Sequence, residues 1–347
     1  MRRQTADGGR QTKHLASTLA LLLLAPCAAR AQAPFFNADS AINITIRTDI
    51  RTLRNDRDTN DTPWRPGSVT WTSADGQSRA VPVRLRTRGV FRLKYCDFPP
   101  VRLRFSEDSV RGTPFDGLRR PKLASYCMDR DDFEQNVLHE YTLYRVLRLF
   151  TPLTFAVRLV RVTWVDTAGT RRPVTRTTFM LEDPDKFADR VGATIDTIHG
   201  YHQSDLERPN AALLAVWQFF IANTDWSVPG LHNVELMHRG DTIRVVPYDF
   251  DWAGAIDARY ARPDTRLNTR SVRERVYRGM CLEEADLEPV LARFEALRDS
   301  VGAVYRRTPG LDPRLIERTL RYYGEFYQLI ADRRRFVRQV VRATCLQ

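Results

Sequence analysis

The sequence predicts an α+β protein with a β-rich N-terminal part that holds one main helix, and a mainly helical C-terminal part that carries a hairpin. Apolar and polar residues alternate over residues 41–48 and 81–88, which is typical of half-buried strands. From residue 206 onward, apolar residues recur instead at helical spacing. The chain has 347 residues, 43% of them hydrophobic, which suffices for one large domain or two lobes.

Residues 1–31 have the pattern of a cleaved targeting segment. A basic region precedes a short apolar stretch, and Ala29-Arg30-Ala31 forms an A-x-A cleavage site. We therefore expect a mature chain of residues 32–347 that is exported, to the periplasm or beyond. The apolar stretch is too short to span a membrane, and no other segment is long enough to do so.

The four cysteines of the mature chain are expected to form disulfides, because their number is even and the protein is predicted to be exported. Three connectivities are possible. A bond between Cys96 and Cys127 would join two strand ends, and one between Cys281 and Cys345 would hold the C-terminus. The spacing of cysteine and histidine does not match a zinc site.

The net charge of +12 comes almost entirely from arginine. Basic residues do not form a run with interleaved aromatics, so nucleic-acid binding is not predicted. A lysine in such a chain indicates a place that needs a compact point charge. The lysines are Lys13, Lys94, Lys122 and Lys186.

Strand patterns dominate the N-terminal half. They lie at residues 41–48, 69–72, 81–88, 101–105, 122–124, 155–165 and 172–181. A polar crossover follows at 182–185, so we predict a β-rich part over 32–183 and a mainly helical part over 184–347.

The main helix of the N-terminal part is predicted over residues 131–150. Glu140 lies on its apolar face, where a carboxylate needs a partner because an unpaired buried charge is costly. One hypothesis pairs Glu140 with Lys122. Alternatively, Glu140 lies at the edge of the apolar face, in water or beside one of the many arginines.

The chemistry is predicted at residues 223–254. A buried helix over 211–222 leads into a loop with Asp225 and Asn233, a hairpin follows, and Asp249-Phe250-Asp251 comes next. Carboxylate and carboxamide oxygens are the ligands that Mg²⁺ prefers. The alternative is a loop whose Asn and Asp residues only cap a helix and a turn.

This order of groups matches the logic of a kinase. In that hypothesis Lys122, held by Glu140, neutralises nucleotide phosphates, and Asp225 orients the acceptor hydroxyl. Asn233 and Asp249 bind the metal, and Asp251 is a possible further ligand.

Several short motifs resemble those of the CotH kinase-like family, the atypical kinases first known from spore coats. The motifs are Arg84-Leu85-Arg86-Thr87-Arg88-Gly89 with Lys94, the segment 99–105, Asn223-Thr224-Asp225, His232-Asn233 and Tyr248-Asp249-Phe250-Asp251. The resemblance covers about half the chain. It implies a kinase-like two-lobed fold, ATP with Mg²⁺ or Mn²⁺, and transfer of phosphate to Ser or Thr of a protein acceptor.

The sequence departs from ordinary kinases in lacking a Gly-rich phosphate loop. In its place Arg86, Arg88 and Lys94 are predicted to hold phosphates by charge, although arginine alternating along a strand is also typical of a solvated face. Two other functions remain open. One is a kinase-like binding or structural protein of the envelope that has lost the reaction, and the other is a metal-dependent phosphohydrolase that uses His232 with the three aspartates.

Overall fold

The computed structural model of the protein describes Met1 and residues 32–346. Apart from Met1, the predicted targeting segment lies outside the described residues and stays a prediction. Among the described residues, no helix has the length and apolar character needed to cross a membrane.

Seven strands form a closed barrel in the order β1-β2-β3-β4-β5-β7-β6. Neighbouring strands are antiparallel except β1 and β6, which run parallel and close the barrel, with Ile42 opposite Val160 and Thr48 opposite Asp166. The strands are β1 (Ile42–Thr48), β2 (Arg65–Thr72), β3 (Ser78–Thr87), β4 (Val101–Arg104), β5 (Lys122–Leu123), β6 (Val157–Asp166) and β7 (Val174–Leu181).

The predicted kinase-like two-lobed fold is wrong, because its β-rich lobe is instead this closed barrel. Strand β1 pairs with β6, which lies more than 100 residues later in the chain, and this pairing closes the barrel. Inward side chains such as Ile46, Leu85, Leu103 and Val162 fill the barrel with a core of its own. Burial of these alternating side chains away from water stabilises the closed form.

The helices lie between the strands and after them. They are α1 (Ile50–Asn55), α2 (Phe91–Tyr95), α3 (Glu107–Val110), α4 (Asp131–Phe150), α5 (Pro184–Val191), α6 (Arg208–Phe220), α7 (Glu284–Ala296), α8 (Arg298–Arg307), α9 (Pro313–Ala331), α10 (Arg333–Phe336) and α11 (Arg342–Thr344). A π-helical turn, Val337–Val341, joins the last two. A second sheet has the order β10-β9-β8, with β8 (Thr194–Asp196), β9 (Val234–Arg239) and β10 (Thr242–Pro247).

Helix α4 lies at the centre of the molecule. Its first turn is acidic, which suits the positive end of the helix dipole, and it ends at Phe150, where Thr151 caps it just before a proline. Its buried face contributes to a core that includes Phe179 of β7, Phe220 of α6 and Phe294 of α7. This core therefore draws side chains from both sides of the boundary predicted at residue 183.

Two disulfides form, Cys96–Cys127 and Cys281–Cys345, and they close segments with sequence separations of 31 and 64 residues. The first joins the end of α2 to the segment that precedes α4. Disulfides persist in oxidising compartments, so both bonds are consistent with a location outside the cytoplasm.

Candidate functional site

The two ends of the β9–β10 hairpin meet at one place. Asn233 precedes β9 and Asp249 follows β10, and both have left-handed backbone angles, with φ of 54° and 60°. The N–H of Tyr248 donates to the carbonyl of Asn233 over 3.0 Å. Asn and Asp tolerate this conformation better than most side chains. The hairpin therefore brings Asn233 and Asp249 together, as the sequence predicts.

Asp225 is held in a network of short-range contacts. Its Oδ1 lies 2.8 Å from Nε2 of His232, and its Oδ2 accepts a hydrogen bond of 3.0 Å from the side-chain amide of Asn233. The same amide donates to the Asp225 carbonyl over 2.7 Å. Because the nitrogen of Asn233 is used in this way, its carboxamide oxygen is the atom that remains for a ligand.

Arg92 is the residue that sequence reasoning missed. It lies on α2, is buried, and donates to Oδ1 of Asp249. Its Nε lies 3.4 Å from Oδ2 of Asp251, and its Nη1 lies 3.8 Å from Oε2 of Glu140. One guanidinium thus faces three carboxylates. An arginine between two apolar residues in a five-residue helix gives no sequence signal for such a role.

The predicted ion pair between Lys122 and Glu140 does not form, because Arg92 takes the place beside Glu140. The alternative, in which Glu140 lies beside an arginine, is the one found. Burial raises the pKa of Glu140 to about 8 and that of Asp251 to about 7. Burial acts the same way on Asp249, but Arg92, Arg88 and Lys122 together hold the pKa of Asp249 below its ordinary value.

Lys122 is buried on β5 without a carboxylate partner. Its Nζ lies 4.3 Å from the centre of the Tyr248 ring, and no ion pair within 4 Å joins it to any described residue. Burial, and after it the positive charge of Arg88, lower the pKa of Lys122 to about 7. Glu235 and Asp249 act in the opposite direction. The ammonium group therefore lies near Asp249 in surroundings that favour a bound anion.

The other predicted phosphate ligands lie at different distances from this centre. Arg88 follows β3 and is close enough to Asp249 and Lys122 to lower the pKa of both. Arg86 lies on β3, opposite Arg102 of β4. Lys94 is exposed on α2, and in the described chain no ion pair joins it to the other groups of the site.

The predicted metal ligands Asn233, Asp249 and Asp251 lie around the ends of the β9–β10 hairpin. Residues 32–346 contain no group of three His, Cys, Asp or Glu side chains arranged to hold a metal ion. Mg²⁺ often takes only one or two carboxylates and completes its shell with water and phosphate oxygens. Oδ2 of Asp251 is buried and accepts no hydrogen bond, and it lies 3.4 Å from Nε of Arg92, so a metal ion would share this oxygen with the guanidinium. Asn233, Asp249 and Asp251 thus fit a cation that binds together with a phosphate, beside Arg92.

Aromatic side chains border the site on α2. The rings of Phe91 and Tyr95 stack at 5.2 Å, and each side chain is 40% exposed. Trp252, next to Asp251, meets Phe91 edge to face at 5.1 Å. An exposed aromatic group of this kind is typical of a contact surface.

The site therefore combines a partly exposed Asp225, three carboxylates beside Arg92, and a buried Lys122 that lacks an anionic partner. Comparison of the chain with known protein families and with curated proteins found no match.

Proposed function

We propose that the protein is an exported phosphotransferase that moves a phosphate group from ATP to a Ser or Thr hydroxyl of a protein acceptor. The observation that carries this proposal is the convergence of Asp225, Asn233 and Asp249 at the hairpin ends, with Nζ of Lys122 4.3 Å from the ring centre of Tyr248, the residue before Asp249. Phosphate transfer requires acidic groups that orient the acceptor hydroxyl and hold a metal ion. It also requires a cation that contacts the phosphates.

In this proposal Asp225 accepts the proton of the acceptor hydroxyl. The contacts from His232 and Asn233 fix its carboxylate, and about a third of the Asp225 side chain stays exposed to an incoming substrate. The hydroxyl oxygen attacks the terminal phosphorus of ATP, the bond from that phosphorus to the bridging oxygen breaks, and ADP leaves. A fixed carboxylate serves this step better than a mobile one because its orientation is set in advance.

Asn233, Asp249 and Asp251 would hold Mg²⁺ or Mn²⁺, which supplies neutralisation of the phosphate oxygens when bound. Arg92 orients Asp249 and Asp251 from the side opposite to solvent, since the guanidinium is buried. Lys122 and Arg88 would contact the phosphates. Anion binding also relieves the cost of burying Lys122 without a partner.

The short motifs that resemble those of the CotH family support the same activity, although the two-lobed fold that the resemblance implies is not the fold of this chain. Export is part of the proposal. It rests on the pattern of residues 1–31 and on the two disulfides. An exported enzyme of this kind requires a compartment that holds nucleotide.

The test is a thermal-shift titration of the oxidised protein with ATP, with and without Mg²⁺ or Mn²⁺. At a hundredfold excess over Kd, a ligand that binds only the folded state adds about 2.7 kcal/mol to stability. Asp249→Ala should abolish the metal-dependent shift, whereas Asp225→Ala should keep it and lose transfer of labelled phosphate. Asp241→Ala, at the exposed tip of the same hairpin, is the matched control. Wild-type transfer in both site variants would refute the assignment.

The second candidate is a binding or structural protein of the envelope that lacks the reaction. The exposed rings of Phe91 and Tyr95 beside the site favour it. A protein that melts cooperatively and shows no shift with any nucleotide would support this candidate. The phosphohydrolase is less well supported, because two-metal hydrolysis needs a richer set of acidic and histidine ligands than residues 32–346 bring together.

A further inference from the structure

Five arginines form one column on the outer face of the barrel, beside Lys122. At the end of β3 and just after it, from Arg84 to Arg88, every second residue is an arginine, and the residues between them are buried in the barrel core. The register places Arg84 opposite Arg104 and Arg86 opposite Arg102, while Arg102 is also opposite Lys122. The arginine column consists of Arg84, Arg86, Arg88, Arg102 and Arg104.

Like charges directly opposite each other destabilise a sheet. Two other arginines of the barrel strands do have acidic partners: Arg65 pairs with Asp56, and Arg79 pairs with Asp75. Within the described chain, no member of the arginine column forms an ion pair or a side-chain hydrogen bond. The Nε atoms of Arg88 and Arg102 are moreover buried without any partner. A buried unsatisfied donor is costly, so this arrangement indicates a bound anion.

The nucleotide of the proposed reaction does not account for the whole column. Its phosphates would contact Lys122 and Arg88, and Arg88 is the member of the column whose charge acts on Asp249. Arg84 is four residues from Arg88 along an extended strand, which is about 13 Å. Arg104, opposite Arg84, is equally remote. The far end of the column therefore serves a second anionic group.

We propose that the arginine column binds an extended peptide with acidic side chains at alternate positions, and that this peptide belongs to the acceptor. Alternate residues of an extended chain project to the same side about 6.6 Å apart, which is also the repeat of Arg84, Arg86 and Arg88. The identification of this peptide as part of the acceptor rests on the proposed function. The binding of an acidic peptide to the arginine column does not.

Trp64 favours a peptide over a nucleic acid. Its ring lies 4.8 Å from the guanidinium carbon of Arg86 and 5.9 Å from that of Arg104, so arginines already occupy the aromatic surface. Single-stranded nucleic acids are bound without sequence preference by bases that stack on free aromatic rings. Guanidinium groups ordered by an aromatic ring are instead suited to bidentate contacts with carboxylates.

The experiment measures fluorescence polarisation of a labelled ten-residue peptide with Glu at alternate positions, added to the oxidised protein. A peptide of the same composition with all Glu at one end is the pattern control. The variant is Arg84→Gln with Arg104→Gln, both exposed and remote from Asp249. The matched control is Arg79→Gln with Arg111→Gln, which removes the same charge from exposed arginines elsewhere on the barrel side of the molecule.

We expect the alternating peptide to bind more tightly than the clustered one. The Arg84/Arg104 variant should bind the alternating peptide about tenfold more weakly than wild type, because two charge-assisted contacts are lost. The control variant should stay within about twofold. Equal weakening in both variants, or tighter binding of a single-stranded oligonucleotide than of the peptide, would overturn the inference. ATP-induced thermal shifts should be the same in wild type and the Arg84/Arg104 variant. Peptide binding without any ATP shift would refute the proposed function and leave the peptide site in place.

Discussion

Nε2 of His232 lies 2.8 Å from Oδ1 of Asp225, in a loop where both side chains remain accessible to solvent. The hydrogen bond that the ring of His232 donates to Asp225 raises the pKa of His232 above its ordinary value near 6.5. A raised pKa in the folded state means that the pair stabilises the protein below the unfolded pKa, and that this contribution is lost as pH rises through the folded pKa.

We therefore expect an NMR titration of His232 to give a midpoint above about 6.5. Asp225→Asn should move the midpoint down, because the neutral amide holds the protonated ring less strongly. Asp241→Asn is the control, as its side chain lies at the far tip of the hairpin. A midpoint that is identical in wild type and Asp225→Asn would contradict the structure of this loop.

Replacement of Arg92 by Met should lower the free energy of unfolding by about 3–5 kcal/mol, because the change leaves buried carboxylates without their cation. Arg92→Lys should restore part of the loss, since the charge remains while the fork of donors is gone. Urea unfolding at pH 7 measures the free energy of unfolding of both Arg92 variants. Arg111→Met, on an exposed residue, should change stability by no more than about 0.5 kcal/mol. A similarly small effect at Arg92 would show that Glu140, Asp249 and Asp251 do not depend on it.

Lys122→Met should stabilise the protein at pH 7, measured in a buffer without phosphate. The pKa of Lys122 is lowered to about 7 in the folded state, so the unfolded chain binds more protons between pH 7 and its ordinary pKa. The stability of wild type relative to Lys122→Met should accordingly rise with pH across that interval, by at most about 1.4 kcal/mol per pH unit. Lys94→Met, at an exposed site, is the control variant. If the stability difference between wild type and Lys122→Met did not change with pH, the ammonium of Lys122 would have a partner in solution.

Removal of either disulfide by paired Cys→Ala changes should cost roughly 4 kcal/mol of unfolding free energy. Sequence separations of 31 and 64 residues give similar losses of loop-closure entropy in the unfolded chain. Chemical denaturation of the two double variants measures this. Wild-type protein treated with reductant should match a variant that lacks all four cysteines. If the Cys96→Ala/Cys127→Ala protein were as stable as wild type, the bond would not constrain α2.

Local patterns predicted the local structure well. Helix α4 spans the predicted 131–150, and the alternation of Val, Leu and Arg located β4. The loop with Asp225 and Asn233 was predicted to meet Asp249, and it does so because a hairpin returns the chain to its starting point.

Contacts between distant segments were not predictable in the same way. The parallel pairing of β1 with β6 joins strands that look like ordinary members of an open sheet. Arg92 is one of 50 arginines, since 54 basic residues include four lysines, and nothing in its neighbours distinguishes it. Its role depends on α2 being placed against α4 and the segment after β10, and that placement is decided by tertiary packing.

Closure of the barrel also limits how a partner can bind it. Each of the seven strands has a neighbour on both sides, and at the arginine column β3 and β4 already pair with each other, from Arg84 opposite Arg104 to Thr87 opposite Val101. A peptide that lies along the arginine column cannot be recognised through its backbone as an added strand. Discrimination between acceptors must then come from the charge and spacing of their side chains, so selectivity should weaken as salt concentration rises.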